Sequence, residues 1–270
     1  MNKHKFFLAL ILNNHPMLPN RVCFWLFLFL FPLFGASSVL AFTADEIMDL
    51  QPILENKSLG EKIAFWAEKF VGTPYDKDPQ GAYVSRATVV ADDRVDCMYL
   101  TFRAVELALS QSPEEAVQIA LDKRFFSRGL LNAEGKVMNY ADRFQYGEDM
   151  IESGKWGREI TLDVGRTIQI KGSRGRKFFN TLAPAELLRR QKNLQSGDLL
   201  FFITPPEKRK VEEAVGHIGI IQTVGPSQGD EIFLIHASGR KKQGGVVKKV
   251  LLPDYVSQMP FVGVKITRLE

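Results

Sequence analysis

Two cysteines and four histidines are spread through 270 residues. His4, His15 and Cys23 fall in the first 41 positions, while Cys97, His217 and His236 lie beyond them. Cys97 follows Asp96 in "RVDCMYLTFRAVELALS" (94–110), which reads as a turn running into a helix with Asp96 as its N-cap. In a first helical turn, backbone N–H groups and the helix dipole favour a thiolate. With an imidazole nearby, such placement brings a thiol pKa from about 8.5 to between ~3.5 and 7.5. His217 and His236 sit in "GHIGIIQ" (216–222) and "EIFLIHAS" (231–238), two β-branched stretches that read as a hairpin. If Gln222 faces Glu231, then His217 faces His236, with Cβ atoms ~4.5–5.5 Å apart on one sheet face. A slip by one residue would send one ring to the other face. One imidazole can then orient the other, and a thiol on a helix start beside an oriented base is the arrangement that cysteine acyl transfer needs. Backbone N–H groups near Cys97 could serve the oxyanion. The same three side chains also form a plausible zinc ligand set.

The elements that must position these groups follow from periodicity. "TADEIMDLQPILENKSLGEKIAFWAEKFVG" (43–72) carries helical stripes at Ile47, Leu50 and Leu54 and at Ile63, Trp66, Ala67 and Phe70, stopped by Gly72 and Pro74. Late in the chain, "GDLLFFI" (197–203), the two histidine-bearing stretches, "GGVVKKVLL" and "FVGVKITRL" read as strands. Helices first and strands last predict an α+β fold with helices packed on an antiparallel sheet. Residues 111–195 mix short helical and strand-like pieces and read as an inserted subdomain between the Cys97 helix and the sheet.

Residues 1–41 read as an export signal. Lys3, Lys5 and Arg21 accompany no acidic residue, "VCFWLFLFLFPLF" is an apolar core, and "SVLA" ends in a small-residue cleavage pattern after Ala41. An uncleaved anchor is the alternative reading. Pro32, Gly35, Ser37 and Ser38 interrupt the apolar run, whereas a spanning helix wants about 20 apolar residues. Removal takes the net charge from +4 to about +1 and leaves Cys97 as a lone thiol outside the cytoplasm. Residues 42–270 are expected as a single exported, periplasmic domain without stable membrane insertion, and no dense basic stripe argues for nucleic acid.

"FVGTPY" (70–75), "DC" (96–97), "SGDLLFF" (196–202), "GHIGII" (216–221) and "LIHAS" (234–238) occur in an order that resembles the NlpC/p60 superfamily of papain-like cell-wall cysteine hydrolases. The chain departs from that pattern where the common Asp-Cys-Ser-Gly reads "DCMY", and in the long stretch before "GDLLFF". With the closing "FVGVKITRL", these departures resemble the N-acetylmuramoyl-L-alanine amidase-like branch. The resemblance implies a papain-like fold and a Cys97–His217–His236 triad without cofactor or metal. It implies hydrolysis of the N-acetylmuramoyl-L-alanine amide in peptidoglycan fragments (muropeptides) through a thioester. Tyr75 is a candidate oxyanion or substrate contact, and Asp96 serves as helix cap or contacts a substrate ammonium. Tyr140 and Arg143, from a stretch rich in aromatics and Arg, are candidates for sugar and carboxylate contacts. The alternatives are a D-glutamyl–diaminopimelate endopeptidase, a zinc hydrolase and a non-catalytic muropeptide-binding module.

Overall fold

The computed structural model describes residues 42–76, 81–209, 212–225, 231–240 and 244–270, apart from the side chains of Ala82 and Arg240. The expected export signal lies outside the described residues. Eight strands share one sheet: β1 (Arg158–Glu159), β2 (Thr167–Lys171), β3 (Phe178–Leu182), β4 (Leu199–Ile203), β5 (Val215–Val224), β6 (Glu231–Arg240), β7 (Gly244–Leu251) and β8 (Gly263–Arg268). Their order is β2-β3-β8-β4-β5-β6-β7, with β1 also on β8, and the named strands all pair antiparallel. The helices are α1 (Ala44–Leu50), α2 (Leu59–Lys69), α3 (Ala82–Ser85), α4 (Cys97–Leu109), α5 (Pro113–Lys123), α6 (Gly147–Ser153), α7 (Thr161–Val164), α8 (Pro184–Arg190) and α9 (Leu252–Gln258). The expected α+β class with an antiparallel sheet is what forms. Strands β1 to β3 arise inside 111–195 and extend the sheet through β8.

Both faces of the sheet are covered, which is why the central strands read as unbroken apolar runs. Leu199, Phe201, Ile218, Ile220, Ile235 and Val247 point into one core with Trp66 of α2 and Leu100 and Ala104 of α4. Leu200, Phe202, Ile221, Leu234 and Ile266 point the other way, against Leu187 of α8 and Leu252 and Val256 of α9. Period-two alternation along each strand divides the two sets. Helix α2 starts on a Ser58/Glu61 capping box, and α4 on Asp96, whose carboxylate accepts the Tyr99 N–H at 2.7 Å.

A buried ionic network anchors α4. Arg103 makes two bonds to Asp92 (2.9 and 3.0 Å) and reaches Glu106 at 3.4 Å; Arg124 makes two bonds to Glu106 (2.6 and 2.7 Å). The Tyr99 hydroxyl donates to Asp92 at 2.7 Å, and the Arg124 guanidinium lies 4.9 Å from the Tyr99 ring centre. Two cations and two anions, each almost wholly out of solvent, balance. The same contacts explain "DCMY": Tyr99 is large because its hydroxyl is part of this network.

The hairpin register differs from the sequence expectation. β5 pairs with β6 as Val224↔Glu231, Gln222↔Phe233 and Ile220↔Ile235, a slip of two residues, so His217 and His236 are not directly opposed. Because side chains alternate with period two, a slip of two keeps both rings on one face.

Candidate active site

Cys97 opens α4 on one side of the sheet, and the two imidazoles belong to the other. The β5–β6 pairing runs only from Ile220↔Ile235 to Val224↔Glu231, so Ile218 and His217 lie past its end. Beyond that point the backbone N–H groups of Ile218 and of Cys97 itself point at the sulfur and favour its thiolate form. Cys97 as a residue is half-buried and packs against the core, while its sulfur is largely withdrawn from water. His217 immediately precedes Ile218.

The setting of His217 answers why a glycine stands before it. The β4–β5 register passes from Phe202↔His217 to Ile203↔Val215, so Gly216 is an extra, bulged residue. Bulges re-aim neighbouring side chains. A Cβ on Gly216 would collide with the Thr204 hydroxyl and lie 3.1 Å from the Phe261 ring. That ring stacks on His217 at 6.2 Å between centres and 5° between planes, and Phe202 stacks on it at 6.0 Å. Held in this way, His217 Nε2 lies 2.9 Å from His236 Nδ1. Gly216→Val is therefore expected to lower kcat about 10²-fold through ring displacement, with the far-UV CD spectrum retained; unaltered kcat would show that the bulge does not position the base.

An open cleft of about 680 Å³ lies over this face, lined by His217, His236, Lys248, Tyr75, Tyr255 and Phe261 among others. Burial, and after it the charge that Cys97 could carry, push up the phenol pKa of both Tyr75 and Tyr255, so the sulfur is within electrostatic reach of both rings. Tyr255 packs on His236 at 4.7 Å. Another depression, of about 530 Å³ and lined by Ser58, Glu61, Ser196 and Arg268, holds neither thiol nor imidazole.

The structure thus gathers His217, His236 and Tyr75 around one cleft and places the Cys97 sulfur at the N–H of Ile218, the residue after His217, with Asp96 as the helix cap. Tyr140 and Arg143 do not line the cleft. The Tyr140 hydroxyl is committed to the backbone carbonyls of Tyr83 (2.9 Å) and Thr88, and Arg143 Nη1 donates to the Tyr140 carbonyl at 2.8 Å. Their composition suited a sugar site, but their polar atoms hold the chain's own backbone. Asp198 is tied to Arg268 at 2.6 Å and to the Gln195 N–H at 2.9 Å, far from the chemistry in role. Sequence reasoning missed Tyr255, Phe261 and Lys248. The signal for the first was "LPDYVSQ", where Pro and Asp mark a helix start.

The expected lowering of the thiol pKa is corrected. Burial, and then the Asp96 carboxylate, push Cys97 up to about 12, against the pull of the two N–H groups. Desolvation outweighs the helix start because a half-turn of N–H dipoles cannot replace lost water. Burial and the neighbouring His236 hold His217 down to about 3; burial and Lys248 hold His236 down to about 4. At neutral pH the thiol and the imidazole are therefore both uncharged. Asp96 itself is pushed up to about 6, chiefly by burial. Asp96→Asn keeps a competent cap but removes the charge beside the sulfur. It is expected to speed iodoacetamide alkylation of Cys97 severalfold at pH 8; slower alkylation would contradict the sign.

No protein-family model and no curated protein matches the sequence. Solved structures do match. A Legionella pneumophila protein of the DUF1460 family is 17% identical over 83% of this chain and 93% of its own, with a TM-score of 0.61. An N-acetylmuramoyl-L-alanine amidase from Bacteroides uniformis is 20% identical over 78% and 99%, with a TM-score of 0.58. A Bacteroides fragilis protein provisionally named a xylanase is 18% identical over 76% and 100%, at 0.54. These likenesses establish a shared fold. Among the described residues, no helix is long and apolar enough to cross a membrane, and no three His, Cys, Asp or Glu side chains are grouped to hold a metal ion.

Proposed function

We propose that the protein is an exported cysteine amidase, of papain-like NlpC/p60 type, that hydrolyses the N-acetylmuramoyl-L-alanine amide of peptidoglycan fragments. The observation that carries this reading is the 2.9 Å contact between His217 Nε2 and His236 Nδ1, with the N–H of the next residue, Ile218, directed at the Cys97 sulfur. With Nε2 donating to His236, the lone pair of His217 sits on Nδ1, the nitrogen left for the thiol. His236, accepting at Nδ1, carries its own proton on Nε2. The shared fold with proteins named N-acetylmuramoyl-L-alanine amidase supports the substrate class.

In this mechanism the Cys97 sulfur bonds to the lactyl carbonyl carbon as its proton passes to His217 Nδ1. The Cys97 N–H and the Tyr75 hydroxyl are the donors beside the sulfur for the oxyanion. Collapse breaks the C–N bond, and the alanine nitrogen leaves with the proton from His217. Water then attacks the thioester, giving its proton to His217, and the thiol re-forms as the muramic acid carboxylate departs. A zinc hydrolase fits less well, because the two facing ring nitrogens share one proton between them and do not converge on a common ion.

Mass spectrometry of digested, defined muropeptides tests the bond. Free N-acetylmuramic acid saccharide together with intact stem peptide is expected. Truncated stems still attached to sugar would replace this reading with the D-glutamyl–diaminopimelate endopeptidase.

A further inference from the structure

Strand β7 turns two consecutive lysines to opposite sides of the sheet. Lys249 faces the α2 layer, where its Nζ lies 2.6 Å from Glu68 and 4.7 Å from the Phe233 ring centre. Its partner is built into the fold. Lys248 faces the other way, directly paired with His236 in the β6–β7 register, so the two side chains are nearest cross-strand neighbours on one face. It is exposed, it lines the cleft that holds both imidazoles, and among the described residues no ion pair engages it. Asp254 of α9 also lines this cleft, and it too is in no ion pair among the described residues. After burial, this unpaired cation lining the cleft, one strand from the imidazole pair, is what holds down the basicity of His236. An uncharged sugar would leave that cation unpaired, whereas an anion would compensate it.

We propose that Lys248 anchors a substrate carboxylate, so that the cleft between β7 and α9 receives the peptide arm. The proposal rests on the amidase reading for the identity of that arm. In a muramoyl peptide the lactyl carboxyl is consumed in the scissile amide, so the remaining carboxylates all belong to the leaving side. The sugar then lies away from α9, and the alanine nitrogen departs toward Lys248. Lysine acts here as a point charge, suited to a flexible chain whose carboxylate is not held in one fixed plane.

The test compares kcat/KM for N-acetylmuramoyl-L-alanyl-γ-D-glutamyl-diaminopimelate with that for the same peptide carrying amidated carboxylates. Wild type is expected to prefer the acid. Lys248→Ala is expected to cost at least about tenfold on the acid, mainly in KM, and to bring the acid-to-amide ratio toward one, while Lys248→Arg keeps most of the preference. A ratio unaltered by Lys248→Ala would overturn the proposal. A second measurement needs no turnover: the Cys97→Ala protein is titrated with the free peptide L-alanyl-γ-D-glutamyl-diaminopimelate by calorimetry. Affinity weakened about tenfold in the Cys97→Ala/Lys248→Ala double variant supports the carboxylate site even if the amidase reading fails. Equal affinity in the two proteins, or no binding to either, would overturn it.

Discussion

Cys97→Ala is expected to lower kcat for muropeptide cleavage by roughly 10⁴-fold or more, with KM and thermal stability close to wild type. The expectation follows from the proposed role and from placement: Cys97 is a half-buried residue at a helix start, so loss of its sulfur leaves no large void but removes the proposed nucleophile. His217→Ala is expected to be nearly as damaging, because groups that act as a unit are not additive, and the double variant should be little worse than either single one. Retained turnover in Cys97→Ala would point to water activated by another group. Sensitivity to chelator in that variant would revive the metal-assisted alternative.

Glu106→Ala is expected to be the most destabilising substitution in α4, by about 3–5 kcal/mol, since it leaves Arg124 charged and buried. Of the four bonds the arginine pair directs at Glu106 and Val89, only the 2.8 Å bond from Arg124 to the Val89 carbonyl would survive, beside the two bonds from Arg103 to Asp92. For a domain of this size the melting temperature should fall by roughly 10 °C, read by CD or calorimetry. Because Arg103 and Glu106 belong to the helix that carries Cys97, activity measured below the melting transition should also drop, whereas Glu106→Gln, which keeps two hydrogen-bonding atoms, should lie between. A melting temperature within 2 °C of wild type would mean that the network contributes nothing net to the fold, as the desolvation cost of buried ions allows in principle.

What the chain displays in sequence and what it conceals divide along physical lines. Local signals carried well: Asp before Cys before a helical pattern marks a capped start, and alternating apolar runs mark the strands. Face-sharing of His217 and His236 was legible because parity survives a slip of two. The register itself was not, since β5 continues to Val224 through "TV", residues that suit a strand or a loop equally. Long-range polar pairing left no local trace. Arg103 and Glu106, three apart on a helix, look like a solvated face, and nothing in the sequence joins them to Asp92 or Arg124. Tyr140 and Arg143 show the opposite case, where a composition suited to ligands is seen bonding to the chain's own backbone. The thiol pKa was misjudged for a related reason: a helix start is visible in sequence, but the depth at which the fold buries it is not. Gly216 shows a middle case, where a glycine beside a histidine hints at close approach and only the Thr204 and Phe261 contacts say to what.

The central claim is that the Cys97 sulfur carries the muramoyl group between two proton transfers by His217. Rapid-quench mass spectrometry of wild-type protein mixed with a defined muropeptide reads this directly. The account predicts a transient, hydroxylamine-labile muramoyl adduct on the Cys97 peptide, absent from Cys97→Ala. Turnover of the same substrate with the adduct on another residue, or by Cys97→Ala at the wild-type rate, would contradict it.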